Sequence, residues 1–214
     1  MNEAEELSMG GRIILGDCLE VMRGFADNQF DLVLTDPPYG KKASKGTNGL
    51  GVAKNRKYTD DWDNFAPSQE YFDEMRRVSK NQIIFGGNYF ADKLPVSNCW
   101  IVWDKIGNLK FDNPFAQAEL AWTSFNKTVK KYTVVAQGFV KDSKDETEHP
   151  TQKPTELLKQ IIRDFADGTI LDPFAGSGST LRAAKDLGFD CTVIEIDPKY
   201  IEIIKKRERQ EVLL

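Results

Sequence analysis

The chain has 214 residues, 40% of them hydrophobic, with 29 Lys plus Arg against 33 Asp plus Glu for a formal charge of -4. That length buries a full core and is most simply one domain, and the acidic balance excludes recruitment to nucleic acid by net charge, so such contact must come from a local patch. Three widely spaced cysteines (Cys18, Cys99, Cys191) without a C-x-x-C, and His149 as sole histidine, exclude a disulfide framework and a zinc cluster, so no metal is expected.

The opening MNEAEELSMGG is acidic, unlike a secretory signal, and no apolar run approaches a membrane span, so a cytoplasmic protein without membrane contact is expected. RIILGD (12–17) reads as the first strand, CLEVMRGF as a short helix and DLVLTD (31–36) as the second strand. From Gly40 to Thr59 six basic residues, Lys41, Lys42, Lys45, Lys54, Arg56 and Lys57, occur without an acid and among four glycines, which reads as a mobile basic loop. PSQEYFDEMRRVS (67–79) has helical spacing, with Tyr71, Phe72, Met75 and Val78 on one face. A strand, QIIFGG, follows, then CWIVWD (99–104) and AQAELAWTSF (116–125) as two more, while KTVKKYTVVAQGFVKDSKDETEHP reads as irregular. Residues 105–150 thus stand apart from the regular alternation as a separate small segment.

The last third alternates cleanly: helix TELLKQIIRDFA, strand TILDPFA, turn GSGS, helix TLRAAKDLG, strand CTVIEID, helix PKYIEIIKKRERQ. Strands that alternate with helices and are apolar almost throughout predict an α/β, doubly wound and mostly parallel sheet. Ligands of such sheets sit beyond the strands' carboxyl ends, where Asp17, Asp36, Asp172 and Glu195 all fall.

Two stretches carry chemistry. In LDPFAGSGST (171–180), Gly176 and Gly178 allow a tight strand-to-helix turn that backbone shares with a ligand, and Glu195 ends the next strand, where an acid accepts hydrogen bonds from ribose hydroxyls. Leu181 stands where the dinucleotide fingerprint wants a third glycine, and no P-loop lysine is present, so a nucleoside without phosphates, such as S-adenosylmethionine, fits better than NAD or ATP. The other stretch is DPPY (36–39): two prolines stop the strand, remove donors and leave a carbonyl facing outward.

DPPY together with DPFAGSGST, and with HPTQKP (149–154) leading into the helix before the glycine loop, resembles the amino-directed DNA methyltransferases that modify adenine N6 or cytosine N4. The order, with the tetrapeptide first, is similar to the permuted β group of that family. The resemblance implies a Rossmann-like class I methyltransferase fold with circularly permuted motifs, S-adenosylmethionine as cofactor, and duplex DNA as partner of a monomer or homodimer. It also implies that Asp36 and the Pro37 carbonyl accept the protons of the target amine, that Pro38 stiffens the turn and that Tyr39 stacks on a flipped base. Asp17, Cys18, Lys153, Asp172, Phe174, Gly176, Ser177, Gly178, Glu195 and Ile196 are implied as the cofactor's surroundings, with Lys153 beside its methionine end. An aspartate rather than a serine at the head of the tetrapeptide resembles adenine enzymes. Cytosine N4, an RNA substrate, and an inactive cofactor-binding module are the other readings of these residues. Position, directly after the tetrapeptide, suits the six basic residues of the loop to DNA phosphates.

Overall fold

Successive residues of each central strand turn to opposite faces of one sheet, and both faces are buried. Ile13, Leu32, Leu34, Ile83, Phe85 and Val193 point into one core, and Ile14, Val33, Ile84, Leu171 and Ile194 into the other. A sheet apolar on both faces has to be covered on both, which is the doubly wound arrangement expected from the sequence. The computed structural model describes residues 3–7, 10–40, 66–109, 116–137, 140–141 and 152–209.

In chain order the described elements are β1 (Glu3–Glu6), β2 (Gly11–Leu15), α1 (Cys18–Arg23), β3 (Phe30–Thr35), α2 (Gln69–Val78), β4 (Ser79–Phe85), β5 (Trp100–Asp104), β6 (Ala118–Thr123), β7 (Lys130–Thr133), β8 (Ala136–Gln137), β9 (Val140–Lys141), α3 (Thr155–Phe165), β10 (Ile170–Asp172), α4 (Ser179–Asp186), β11 (Cys191–Glu195) and α5 (Pro198–Arg209). The main sheet runs β1-β2-β11-β10-β3-β4-β6-β5-β7. Strands β2, β11, β10, β3 and β4 pair in parallel; β1, and β6 against both of its neighbours, pair antiparallel, and β7 joins β5 in parallel. Helices α3, α4 and α5 cover one face through Leu157, Leu158, Ile161, Leu181, Ala184 and Ile204. On the other face lie α1 and α2, through Val21, Met22, Phe72, Met75 and Val78.

Two late strands, β10 and β11, are inserted between two early ones, β3 and β2. Residues far apart in sequence therefore reach the same rim. Two expectations need correction. The acidic start contains a strand, β1, held to β2 by backbone pairing and the Glu6–Arg12 ion pair, and to α5 by the Glu5–Lys205 ion pair, rather than by an apolar face. The stretch read as irregular after Phe125 contains β7, whose single inward residue, Tyr132, offers no visible alternation. Within 105–150, which the resemblance would make a small target-recognition segment, Ala118–Thr123 and Lys130–Thr133 belong to the main sheet as β6 and β7, and β8 and β9 pair as a separate two-stranded sheet. Among the described residues, no helix is long and apolar enough to cross a membrane.

Candidate active site

Four consecutive parallel strands, β2, β11, β10 and β3, deliver Asp17, Glu195, Asp172 and Asp36 to one rim in that spatial order. At about 4.8 Å per strand, the row spans roughly 14 Å. The acids differ sharply in what holds them.

Asp36 follows the last residue of β3, and Pro37 behind it is buried. Its Oδ1 accepts the Tyr39 hydroxyl at 2.5 Å, and its Oδ2 is ion-paired with the Lys153 ammonium. Burial raises the Asp36 carboxyl above the usual carboxylate range, against the opposing pull of Lys153 and then Tyr39. Burial and the neighbouring Asp36 raise the Tyr39 phenol, which stays a donor. The Tyr39 ring lies 4.9 Å from that of Tyr89, tilted by 34°, and edge-on to Phe90 at 6.0 Å. Room for it comes from Gly86, at φ +67°, where a Cβ would stand 2.2 Å from the Tyr39 ring.

Lys153 is 8% exposed. A buried ammonium needs anions around it, and the two within reach among the described residues are Asp36 and Glu119, whose Oε2 lies 3.4 Å away. Burial works against its charge, but Asp36 and Glu119 outweigh this and hold its pKa above the ordinary lysine value. The ammonium therefore sits on the Asp36 carboxylate. Glu119, unmarked by the sequence reading, reaches the rim because β6 runs antiparallel to β4 and starts where the parallel strands end. Its Oε1 holds Lys105 at 2.7 Å. Burial raises the Glu119 carboxyl, but the two lysines prevail and hold it below the usual range.

Asp172 is turned inward. Its Oδ1 accepts from Thr35 Oγ1 at 2.7 Å and from the Phe174 N–H at 3.1 Å, and burial lifts its pKa to about 6. It ties β10 to β3 just before the Asp36 turn. Beyond it, Gly176 and Gly178 adopt left-handed φ of +52° and +79°, and Gly176 N–H donates to Glu195 Oε2 at 2.8 Å. Glu195 Oε1 accepts the Asp197 N–H at 2.9 Å, and burial pushes this carboxyl up to about 7. Ser177 is buried, with both its carbonyl and its Oγ bonded by Arg207 Nη1, at 2.7 and 3.2 Å. Ile196 is exposed beside Glu195.

Asp17 caps α1: its Oδ1 accepts the N–H groups of Leu19 and Glu20 at 2.8 and 3.2 Å. Its Oδ2 accepts the Tyr71 hydroxyl at 3.4 Å, and the Tyr71 ring lies 6.1 Å from that of Phe174. Cys18 is buried, and burial, then Asp17, raises its thiol far above the usual value, so it is inert. The residues fit a nucleoside. Two left-handed glycines open the turn, two aromatic rings and an exposed isoleucine line its flanks, acids end both neighbouring strands, and the buried Ser179 Oγ lacks a hydrogen-bond partner among the described residues. Trp103 and Trp122 are core residues whose Nε1 groups donate to the Val134 and Pro95 carbonyls, and Trp100 is partly buried. Lys41, Lys42, Lys45, Lys54, Arg56, Lys57 and His149 lie outside the described residues. Among those described, no group of His, Cys, Asp and Glu is arranged to hold a metal ion.

A doubly wound sheet with a glycine turn and a strand-end acid on one side of its rim, and an Asp-Pro-Pro-Tyr turn on the other, is the class I methyltransferase fold. The chain belongs to the DNA methylase family whose members methylate N6 and N4 amines, and the family model matches residues 88–206. S-adenosylmethionine is the methyl donor of that family. Among relatives, the type II methyltransferase M.HinfI of Haemophilus influenzae is 29% identical over 92% of this chain and 68% of its own length. The methylase YubD of Escherichia coli strain K12 is 30% identical over 88% of this chain and 86% of its own. In structure, the M1.HpyAVI complex with S-adenosylmethionine superposes with a TM-score of 0.62 at 20% identity, covering 92% of this chain and 98% of that one. The cytosine-N4-specific PvuII DNA methyltransferase gives 0.60 at 15% identity, over 92% and 86%.

Proposed function

We propose that this DNA methyltransferase acts on the N6 amine of adenine in duplex DNA, with Asp36 as the group that meets the amine. The observation that supports this most is the Asp36 carboxylate itself, held by Tyr39 and Lys153 at the head of a proline turn one strand away from the glycine loop. An exocyclic amine is a poor nucleophile because its lone pair is delocalised into the ring. Acceptors on its two protons favour a more tetrahedral nitrogen, and Asp36 with the Pro37 carbonyl are the acceptors of this turn. Such stabilisation acts where charge develops, so it falls on the chemical step.

When bound, S-adenosylmethionine supplies an electrophilic methyl group on a positively charged sulfur that keeps the bonding pair. This chain's part is to bind, orient and accept a proton. Glu195 is placed for the ribose hydroxyls, and Tyr71, Phe174 and Ile196 for the apolar faces of the nucleoside. Asp172 keeps the two halves of the site in register, and Asp36 takes the proton that the amine sheds. The target base must leave the duplex to reach Asp36, and the Tyr39 ring offers a stacking surface that offsets part of the cost. The basic residues between Lys41 and Lys57 are assigned to DNA phosphates by their position after the turn.

Preference for adenine rests on aspartate at the head of the tetrapeptide. Mass spectrometry of digested DNA after incubation with the enzyme tests it: N6-methyladenine is expected, and N4-methylcytosine would overturn the base assignment. Asp36→Ala is expected to retain S-adenosylmethionine binding and lose methyl transfer. Transfer at the parental rate would remove Asp36 from the chemistry.

A further inference from the structure

The anions and cations around Asp36 are balanced in a way that the reaction itself does not require. Asp36 and Glu119 face Lys153 and Lys105, two acids and two bases, in an unbroken row from the buried turn to the partly exposed end of β5. Lys153 stands between the acids but is not shared equally. It is in hydrogen-bond contact with Asp36 Oδ2, whereas Glu119 Oε2, at 3.4 Å, is buried and makes no hydrogen bond among the described residues. A buried carboxylate oxygen that is ion-paired with an ammonium but not hydrogen-bonded to it is an acceptor the same ammonium can close on in another state.

We infer that Glu119 is a positioning residue for methyl transfer: it is the second counter-ion that takes over Lys153 as Asp36 turns to the target amine. The inference rests on the reading of Asp36 as the amine's acceptor. Both oxygens of Asp36 are occupied in the free protein, Oδ1 by Tyr39 and Oδ2 by Lys153. As the methyl group arrives, the target nitrogen becomes positive. Two cations on one carboxylate repel each other, and in a site shielded from water that repulsion is large. Moving the ammonium toward Glu119 Oε2 relieves it without leaving any charge unpaired. Lys105, just past the end of the adjoining strand β5, keeps Glu119 anionic and fixed through a contact of 2.7 Å.

The titratable groups facing Asp36 are Tyr39 on its own turn, Lys153 ahead of α3, Glu119 on β6 and Asp172 on β10, with Tyr89 behind Tyr39. Glu119→Gln keeps the shape and removes one negative charge from this set. Among the described residues Lys153 is then left with Asp36 as its sole counter-ion and competes with the amine for it. The single-turnover rate of methylation is expected to fall roughly tenfold, while affinity for S-adenosylmethionine stays at the parental value. Removal of a negative neighbour also lets Asp36 lose its proton more readily, so the acid limb of the pH–rate profile moves to lower pH. Glu119→Asp, which keeps the charge, is expected to return the acid limb to its parental position and to recover part of the rate.

A variant whose rate falls without movement of the acid limb assigns Glu119 a merely structural role and overturns the inference, as does a parental rate. Where Glu119→Gln does not fold, the parent protein decides. In a crystal structure with S-adenosylhomocysteine and a methylatable duplex, Lys153 Nζ is expected about 2.9 Å from Glu119 Oε2 and out of contact with Asp36; an ammonium still on Asp36 overturns the proposal. The Asp36→Ala variant separates the two readings. If it methylates, the acceptor assignment fails; if it is inactive and Glu119→Gln behaves as the parent, only the role of Glu119 fails.

Discussion

Replacement of Gly86 by alanine probes the support of the catalytic turn from a residue that itself contacts no substrate in the proposed mechanism. At φ +67° an alanine suffers the left-handed penalty, about 1–2 kcal/mol. Its Cβ would also stand 2.2, 2.6 and 2.8 Å from three atoms of the Tyr39 ring. Ordinary van der Waals separation requires the ring to retreat by about 1 Å. The hydroxyl bond to Asp36, now 2.5 Å, then stretches to about 3.5 Å and ceases to be a hydrogen bond. A hydrogen bond to a charged group contributes about 1.5–3 kcal/mol, so methyl transfer should fall by roughly ten- to a hundredfold. Backbone strain should lower the melting temperature by roughly 2–8 °C for a chain of this size. Single-turnover transfer of a labelled methyl group gives the first quantity and thermal unfolding the second, with calorimetry expected to show unchanged cofactor affinity. Tyr39→Phe isolates the hydroxyl: a similar loss of rate is expected without the strain. Parental transfer rates in both variants would refute the view that Tyr39 orients Asp36.

Two further outcomes concern the ligands. Glu195→Ala should weaken S-adenosylmethionine binding roughly tenfold or more by removing ribose acceptors. In the parent, whose Glu195 carboxyl titrates near 7, hydroxyl donors prefer the ionised form, so affinity measured by calorimetry should fall as the pH drops through about 7 and flatten in Glu195→Gln; a pH-independent parent would contradict the ribose assignment. Neutralising Lys41, Lys42, Lys45, Lys54, Arg56 and Lys57 together should weaken DNA binding and reduce its salt dependence at unchanged cofactor affinity. Identical binding at every salt concentration would reduce that stretch to a linker.

The parts legible in the sequence are those whose signal is local. Val33, Leu171 and Ile194 sit in short apolar runs ended by Asp36, Asp172 and Glu195, so both the strand and its rim acid are visible together. Asp17, followed by CLEVMR, reads as the end of a strand, and the same side chain caps α1. The strand β1 escapes because Glu3–Glu6 has no apolar face, and β7 because Tyr132 alone turns inward. Glu119 escapes for a different reason. In AQAELAWTSF an isolated acid looks like the outward residue of a half-exposed strand, and its meaning lies in Lys153, which the fold brings from 34 residues further on. The ion pairs of Lys153 are hidden on the same ground: its motif marks the residue, but a buried ammonium takes whichever carboxylates the fold turns toward it, here Asp36 and Glu119.

Motif order itself follows from this distinction between local and tertiary signals. The Asp36 turn and the glycine loop are joined not by the chain but by the sheet, through the parallel pairing of β10 with β3, which sets Ile170 opposite Leu32 and Leu171 opposite Val33. Thr35 on one strand and Asp172 on the next then close the seam with a buried hydrogen bond of 2.7 Å. A parallel sheet presents every strand's carboxyl end to the same rim, whatever the sequence of crossovers that built it. The site needs β2, β11, β10 and β3 side by side, with Asp17, Glu195, the glycine turn and Asp36 at their ends. It does not need them in that order along the chain. Placing the proline turn before the glycine loop costs the chemistry nothing, because the two meet through strand register, and the threonine–aspartate bond at the seam holds that register at the point where cofactor and base must come together.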